Sequence, residues 1–470
     1  MGGLFDGLTL ARSTLSAAQA GVQLTGHNIS NANTEGYHRQ RLATSAVAPP
    51  ANTASTLPRI GGGVQVDNIL RAADPLLARR VAASLGGEAW ASTRENLMLQ
   101  VEQAVAELGE GGAGAAISDL MDKFSALSTS PSDMTVRREV LAAARNLADT
   151  FNRMAADLDL VVDGAHAEAT ATAESIGAKA AEIASLNSQI VEAEANGQQA
   201  ANLRDRRDLL ACDLASLAGT TSFETSYGQL TVLIGGMSLV QGNISSTLQV
   251  SQGTDGKSGV TLVSGGARVD VTASVTSGEL GGLLSVQSTV VDDLMPRVDQ
   301  LVYDIVTAVN TQHQLGVDLN GAAGGNLFTP LGLPVAGSAA AMSLDPTITP
   351  QGLAASSPWA VPAVPEPSNN DNALQLAALA GQFLAGGGTT TFSGEISAIV
   401  GHVGTLTDQV MQAAAVRKDE LTYLQTLQHS SDGVSLDEEM IQLIEFQRSY
   451  QAGVKVLHVI DSLLEQVLKM

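Results

Sequence analysis

Apolar positions at the two ends of the chain fall on helical stripes of one period, and those of the middle do not. Near the start, Leu4, Leu8, Ala11, Leu15, Ala18, Val22, Thr25 and Ile29 recur at alternating spacings of four and three. Near the end, Leu436, Met440, Leu443, Tyr450, Val454, Leu457, Leu464 and Leu468 keep the same register, broken only at Gln447 and Asp461. A four–three repeat averages 3.5 residues per turn, which holds the seam on one side of a supercoiled helix. Such a seam needs a partner to bury it. The pattern predicts coiled-coil-like ends that pack on each other or on neighbouring molecules, and hence a protein that works by assembly. The N-terminal stripe is also asymmetric. Its line Leu4, Ala11, Ala18, Thr25 is mostly small, and its line Leu8, Leu15, Val22, Ile29 is bulky. Small residues permit close approach but bury little. At roughly 0.8 kcal/mol per buried methylene, one such helix does not offset ~1–2 kcal/mol per residue of backbone ordering. The expectation is that both ends are loose in the monomer and order on assembly.

Between the ends the pattern changes twice. Residues 76–218 are rich in Ala, Leu and Glu and read as helical, with breaks near Gly109–Gly114, at Ser130-Pro131 and at Asn196-Gly197. Residues 220–276 lose the helical period and alternate, as in Leu230–Ile234 and Ala267–Val271, with turns at Gly235-Gly236, Gly253 and Gly265-Gly266. That is the signature of short strands. Helix returns from about Leu280 to Gln314, at 371–384 and from about 394 to the end, while 316–370 holds eight of the fourteen prolines and reads as irregular. Residues 38–75 read as an extended connector.

The fold class that follows is mainly α with an inserted β domain. A terminal helical domain comprises 1–45 plus 430–470. A helical-bundle body comprises 46–219 plus 277–429, with the Pro-rich segment 316–370 inside it, and a small outer β domain comprises 220–276. This nesting requires the two termini to meet.

Composition narrows the function. The chain has 470 residues, which suggests roughly three domains. Aromatics are only 3% of residues, so cores must be built from Ala, Leu, Val and Ile. The net charge of −23 would repel phosphate backbones and argues against a nucleic-acid partner. The single cysteine, Cys212, excludes internal disulfides and sits in a helical pattern as a small buried thiol. No stretch approaches the ~18 apolar residues needed to cross a bilayer, so no membrane partner is expected. The start MGGLFDGLTL lacks a basic region, and Asp6 stands where acylation of Gly2 would need Ser or Thr.

Motifs with chemistry are scarce. Asp255-Gly256-Lys257-Ser258 resembles the end of a phosphate loop, but Ser251 replaces the first glycine and a strand-like run follows. A hairpin turn is the better account. The seven histidines show no metal-ligand spacing. Asp437-Glu438-Glu439 opens the last helix, where acids favour the positive end of its dipole. The sequence yields no catalytic residues, no cofactor-binding residues and no metal site. An enzyme with a scattered active site would need a deep polar pocket with perturbed carboxylates.

One segment is distinctive. Thr25-Gly26-His27-Asn28-Ile29-Ser30-Asn31-Ala32-Asn33-Thr34-Glu35-Gly36-Tyr37-His38-Arg39-Gln40 resembles the signature of bacterial flagellar axial proteins, and with its flanks is closest to the hook-associated protein 1 (FlgK) family. Asn28, Asn31, Asn33, Thr34, Gly36 and Tyr37 carry that likeness, while Glu35 stands where the family has proline. Ala201–Asp208, Ile234-Gly235-Gly236, Gly278–Leu284, Ser368–Leu374 and Gly433–Met440 resemble further family segments in order, although Asn202 and Arg204 depart from the usual residues. The resemblance implies a secreted structural adaptor of the extracellular flagellum between hook and filament. It implies export through the flagellar type III apparatus, a cytoplasmic chaperone on the C-terminal helix, and a ring of copies on the distal hook. Its partners would be the hook protein and the filament-side junction protein. The main alternative is a hook or rod subunit, in which large β domains would replace the helices of 76–218.

Overall fold

The computed structural model describes residues 2–48, 61–105, 112–195, 199–357 and 368–469. Helix α1 runs Gly2–Ser30 and leads into strands β1 (Gln40–Ala46) and β2 (Val64–Arg71), which pair antiparallel with a bulge at Ala43/Thr44. Residues 40–46 and 64–71 are therefore paired strands and not an extended connector. Both faces of β1 are largely exposed, so no alternation marked it in the sequence. Two strands alone are marginal in water. This pair is braced by α1, whose Ser13 hydroxyl accepts from the Val64 amide, and by an ion pair from Arg71 to Asp208.

Four helices follow: α2 (Pro75–Val105), α3 (Ala113–Thr129), α4 (Met134–Glu194) and α5 (Ala201–Ala218). The expected break at Ser130-Pro131 separates α3 from α4, whereas Asn196-Gly197 and half of Gly109–Gly114 lie outside the described residues. Asp133 caps α4 by accepting from the Thr135 amide. Helix α5 ends at Gly219, whose φ of 60° is the left-handed stop that glycine adopts without strain. Strands β3 (Thr221–Glu224), β4 (Leu230–Ile234), β5 (Met237–Gln241) and β6 (Ile244–Ser245) form one antiparallel sheet. Strands β7 (Thr247–Gln252), β8 (Ser258–Ser264) and β9 (Ala267–Asp270) form a second. Asp255-Gly256-Lys257-Ser258 is the β7–β8 turn, with Gly256 at φ 80°.

Helix α6 (Gly278–Thr289) passes through a wide turn at Val290–Leu294 into α7 (Met295–Gln314). The wide turn ends two residues before Pro296, which has no amide to donate to a regular helix. Short helices α8 (Ser338–Ala341) and α9 (Asp371–Ala378) lie in or beside the proline-rich segment, followed by α10 (Phe392–Asp432) and α11 (Leu436–Leu468).

One large core joins α3, α4, α6, α7 and both sheets. Along α4 its contributors include Ala165, Ala169, Ala173 and Ala180, all fully buried, so neighbouring backbones come close, as the scarcity of aromatics required. The irregular segment is held by buried polar groups. Arg137 donates to the carbonyls of Pro131, Pro350 and Leu353, and Asn310 bridges the amides of Leu327 and Phe328. Toward the termini the body narrows to α2 against α10, with a separate small core of Leu77, Val81, Leu421 and Leu424. Cys212 lies half-buried on α5, and burial, with Asp208 and Asp213 nearby, pushes its thiol up to about 11.

Candidate functional site: the terminal helix pair and its polar clasp

Helices α1 and α11 pack antiparallel within one chain. Gly7 lies against Ile460, Gly453 against Leu15, and Gly21 against Phe446, so the two helices run in step past each other. A Cβ on Gly21 would come within 2.5 Å of the Phe446 ring. The α1 seam is Gly7, Ala11, Thr14, Ala18, Gly21, Thr25 and Asn28, again at four–three spacing but built of small residues. Opposite it, α11 presents Glu439, Leu443, Phe446, Gly453, Leu457, Ile460 and Leu464.

The small line of the sequence pattern is thus kept, with Ala11, Ala18 and Thr25 buried against the same chain. The bulky line Leu8, Leu15, Val22 and Ile29 is rotated to the flank and half-buried. On α11, Leu443, Val454, Leu457 and Leu464 are half-buried, whereas Leu436, Met440 and Tyr450 are exposed. The side chains of Leu4 and Leu468 lie outside the described residues. Pattern alone missed the glycines, because they carry no apolar signal, and missed Phe446 and Ile460, because they sit one line away from the most regular stripe. Ile441, Ile444, Val456, Val459 and Leu463 are also exposed, so the pair keeps a broad apolar surface outside its own seam.

The Asn-rich turn closes one end of this pair. Asn31 stops α1 by donating from its side chain to the His27 carbonyl, and Thr34 donates to the Asn31 side chain. Gly36 turns the chain at φ 74° beside Leu209 of α5. Asn33 is exposed and makes no contact that defines the turn. Asn28 is the hub. Its oxygen accepts from the Tyr37 hydroxyl at 2.7 Å and the Gln40 amide at 3.1 Å. Its nitrogen donates to the Gln40 carbonyl and to Glu439, each at 2.9 Å. Because the Tyr37 hydrogen goes to Asn28, His27 must donate from Nδ1 to the Tyr37 oxygen. Burial first, then the charges of Asp205 and Glu439, hold the Tyr37 phenol well above its usual range, so it remains a donor.

Glu439 is fully buried and accepts from Arg39 Nε at 2.6 Å, while Arg39 Nη1 reaches Glu438 at 2.6 Å. The acids at the start of α11 therefore do more than complement its dipole. Next to them, His38 donates to Asp205 of α5 at 2.8 Å and Gln40 donates to Asn202. Arg71 Nη2 reaches Asp208 at 2.6 Å. Its Nε lies 3.2 Å from Asp205, close enough for charge attraction but not aligned for a hydrogen bond. The two departures from the expected motif are absorbed here: Asn202 receives Gln40, and Arg204 forms a two-pronged pair with Glu194 and reaches Glu224. The site thus ties α1, the hairpin, α5 and α11 into one polar cluster. What such a cluster can do is fix geometry.

Elsewhere, a groove of about 570 Å³ lies between the β7–β8 turn and α6, lined by Trp90 and several hydroxyls with Asp255 and Asp270. It gathers Ser251, Asp255, Lys257 and Ser258 of the turn that resembles a phosphate loop, but none of the stripe or signature residues. Among the described residues no group of three His, Cys, Asp or Glu is placed to hold a metal ion, and no helix is long and apolar enough to cross a membrane.

Comparison with known proteins agrees with this geometry. Residues 98–328 match the flagellar hook-associated protein FlgK helical domain. Residues 8–38 match the flagella basal body rod protein family, and 430–470 match the flagellar basal body rod FlgEFG protein C-terminal family. The chain is 25% identical to flagellar hook-associated protein 1 of Bacillus subtilis over 99% of its own length and 98% of that protein's. It is 24% identical to the Escherichia coli protein of the same name, over 97% and 98%. The solved flagellar hook junction protein FlgK from Burkholderia pseudomallei superposes with a TM-score of 0.68 at 18% identity, covering 76% of this chain and all of that one. Paired termini of rod type around a helical body define a structural protein of the flagellar axis. Within that class, the protein that this chain matches over nearly its whole length is flagellar hook-associated protein 1.

Proposed function

We propose that this chain is a non-enzymatic adaptor that joins the flagellar hook to the filament in the extracellular flagellum. Its partners are the hook protein on one side, the filament-side junction protein on the other, and further copies of itself in a ring on the distal hook. The chain reaches that place through the flagellar type III apparatus, with a cytoplasmic chaperone on α11 before export. The matches to rod families at both ends fit a shared way of packing termini along the axis, while the helical-domain match at 98–328 argues against a hook or rod subunit.

One observation carries the assembly role. The α1–α11 seam is filled by glycine, alanine and threonine, and this leaves Met440, Ile441, Ile444, Val459 and Leu463 exposed on a helix that already has a partner. So many exposed large apolar side chains on one helix mark an interface. Neighbouring copies are its natural cover, because every copy presents the same helix at the same place along the axis.

Deletion of the gene tests the role. Cells should keep hooks, lose filaments and leak flagellin monomer into the medium, and normal filaments would reject the assignment. Ile444→Glu with Val459→Glu tests the surface. Leu15→Asp would also place a charge in the seam, but Leu15 touches Gly453 and its loss would disturb the intrachain pair as well. The exposed double variant should retain helix content and fail to cap hooks. Filaments of normal number would remove the exposed face of α11 from the interface.

A further inference from the structure

We infer that the Asn28–Glu439 contact is a late-closing latch, by which the first turn of α11 completes a buried polar site that α1 and the hairpin cannot complete alone. Asn28 uses its full hydrogen-bonding capacity, two bonds accepted and two donated, and only Glu439 comes from a distant part of the chain. The contact spans 411 positions. Glu439 is wholly buried, and both its oxygens are taken, one by Asn28 and one by Arg39.

Arg39 supplies the second half of the argument. Its side chain is 6% exposed, and among the described residues its charge is met by Glu438 and Glu439. Its backbone amide donates to the Asp432 carbonyl, and the Asp432 side chain accepts from the Asp74 amide at the hairpin's exit. The Arg39 carbonyl accepts from the Ala72 amide, but the partners of its guanidinium and of its amide come from 432–439. Without them, docking α1 and β1 would bury an unpaired cation and an unsatisfied amide, both strongly unfavourable. A chain made from its N-terminus has residues 28 and 39 long before 439. Its terminal helices stay unlatched until the last helix emerges, and then α1, the hairpin and α11 close together. The inference rests on contacts within one chain, so its failure would leave the assembly role untouched.

Hydrogen exchange of the full-length protein, read by mass spectrometry, tests it. Asn28→Asp keeps shape but sets a carboxylate against Glu439 and against the Gln40 carbonyl. Exchange should rise at least tenfold together in 8–30, 40–46, 64–71 and 436–466, with α3 and α4 unchanged. Adding Glu439→Gln replaces the facing carboxylate with an amide donor and should recover part of that protection in all four segments. Tyr37→Phe, which removes one donor to Asn28 without touching charge, should open the same four segments to a smaller degree. Faster exchange confined to the end of α1, or a double variant no slower than Asn28→Asp, would overturn the latch. So would loss of protection in α3 and α4 alongside the termini.

Discussion

The helical body and the terminal coil solve the same problem, how to hold long helices together, by opposite means. In the body, Leu120, Phe124, Leu147, Phe151 and Leu158 are fully buried in one core that also takes in both sheets. Each side chain there touches several elements, and at ~25 cal/mol per Å² of apolar surface such burial offsets ordering without outside help. In the coil two helices meet along one line, and that line is glycine, alanine and threonine on the α1 side. Close approach gives shape selectivity and many weak contacts, but little apolar area. The bulky line of α1 sits half-buried at the flank of the seam, and a buried polar cluster locks one end. The body is built to be complete, and the coil is built to be completed.

The largest test of this contrast is Phe151→Ala. Phe151 is fully buried on α4, and removing a phenyl ring from such a site costs about 3–5 kcal/mol. Urea unfolding followed by circular dichroism should show the main transition moving to lower denaturant. The exchange protection of α1 and α11 should follow only as far as the body itself unfolds. A Phe151→Ala protein with an unmoved main transition would mean that the core described here does not carry the body's stability.

A smaller and more local effect is expected at Gly21. A valine there would drive two methyl groups into the Phe446 ring, where even one added carbon already lies at 2.5 Å. Overpacking of this kind costs about 1–3 kcal/mol. Here it should loosen the α1–α11 pair and leave the body transition in place. Gly21→Val combined with Phe446→Ala should regain pairing, because the space then exists. Cleavage of α1 and α11 by trypsin, at Arg12 and Arg448 among other sites, reports the pair directly. Equal resistance in wild type and Gly21→Val would show that the seam is not where these residues place it.

How much of this was legible in the sequence depends on what kind of force holds each part. The body helices and the strands of 221–270 follow from period and from glycine turns, since burial on one face writes itself into the pattern. The hairpin at 40–71 did not, because neither face of β1 is buried. The two stripes pointed to paired ends, yet the true seam lies one line over, through Gly7, Gly21, Gly453 and Ile460. Close packing of small residues leaves no hydrophobic trace. The clasp was half visible. Asn28 and Tyr37 stood out through resemblance, while Glu439 read as an acid at a helix start. Its other signal, an acid at a seam position four and seven residues before Leu443 and Phe446 in the observed register, can be recognised only once the register is known.

The smallest effect expected also separates the two regions, by pH. His313 is fully buried in the body, donates from Nδ1 to the Gly325 carbonyl and accepts from the Ala354 amide at Nε2. The imidazole is thereby fixed in its neutral form, and burial, helped by the nearby Arg137 charge, holds its pKa below the ordinary value. A depressed histidine pKa means that the folded state resists a proton which the unfolded chain takes up. The stabilisation is full above the ordinary pKa near 6.5 and is lost progressively as pH falls below it, by at most about 1.4 kcal/mol per pH unit for one proton. The body transition should therefore weaken between pH 7 and 5 in wild type, and His313→Gln should flatten that dependence, at the cost of some stability at neutral pH. The Gly21–Phe446 seam contains no histidine, so the comparison to read is body stability against α1–α11 protection over the same range. If wild type and His313→Gln lose body stability equally on acidification, His313 is not the group that senses the change, and the contrast between an acid-sensitive body and its coil rests on another residue.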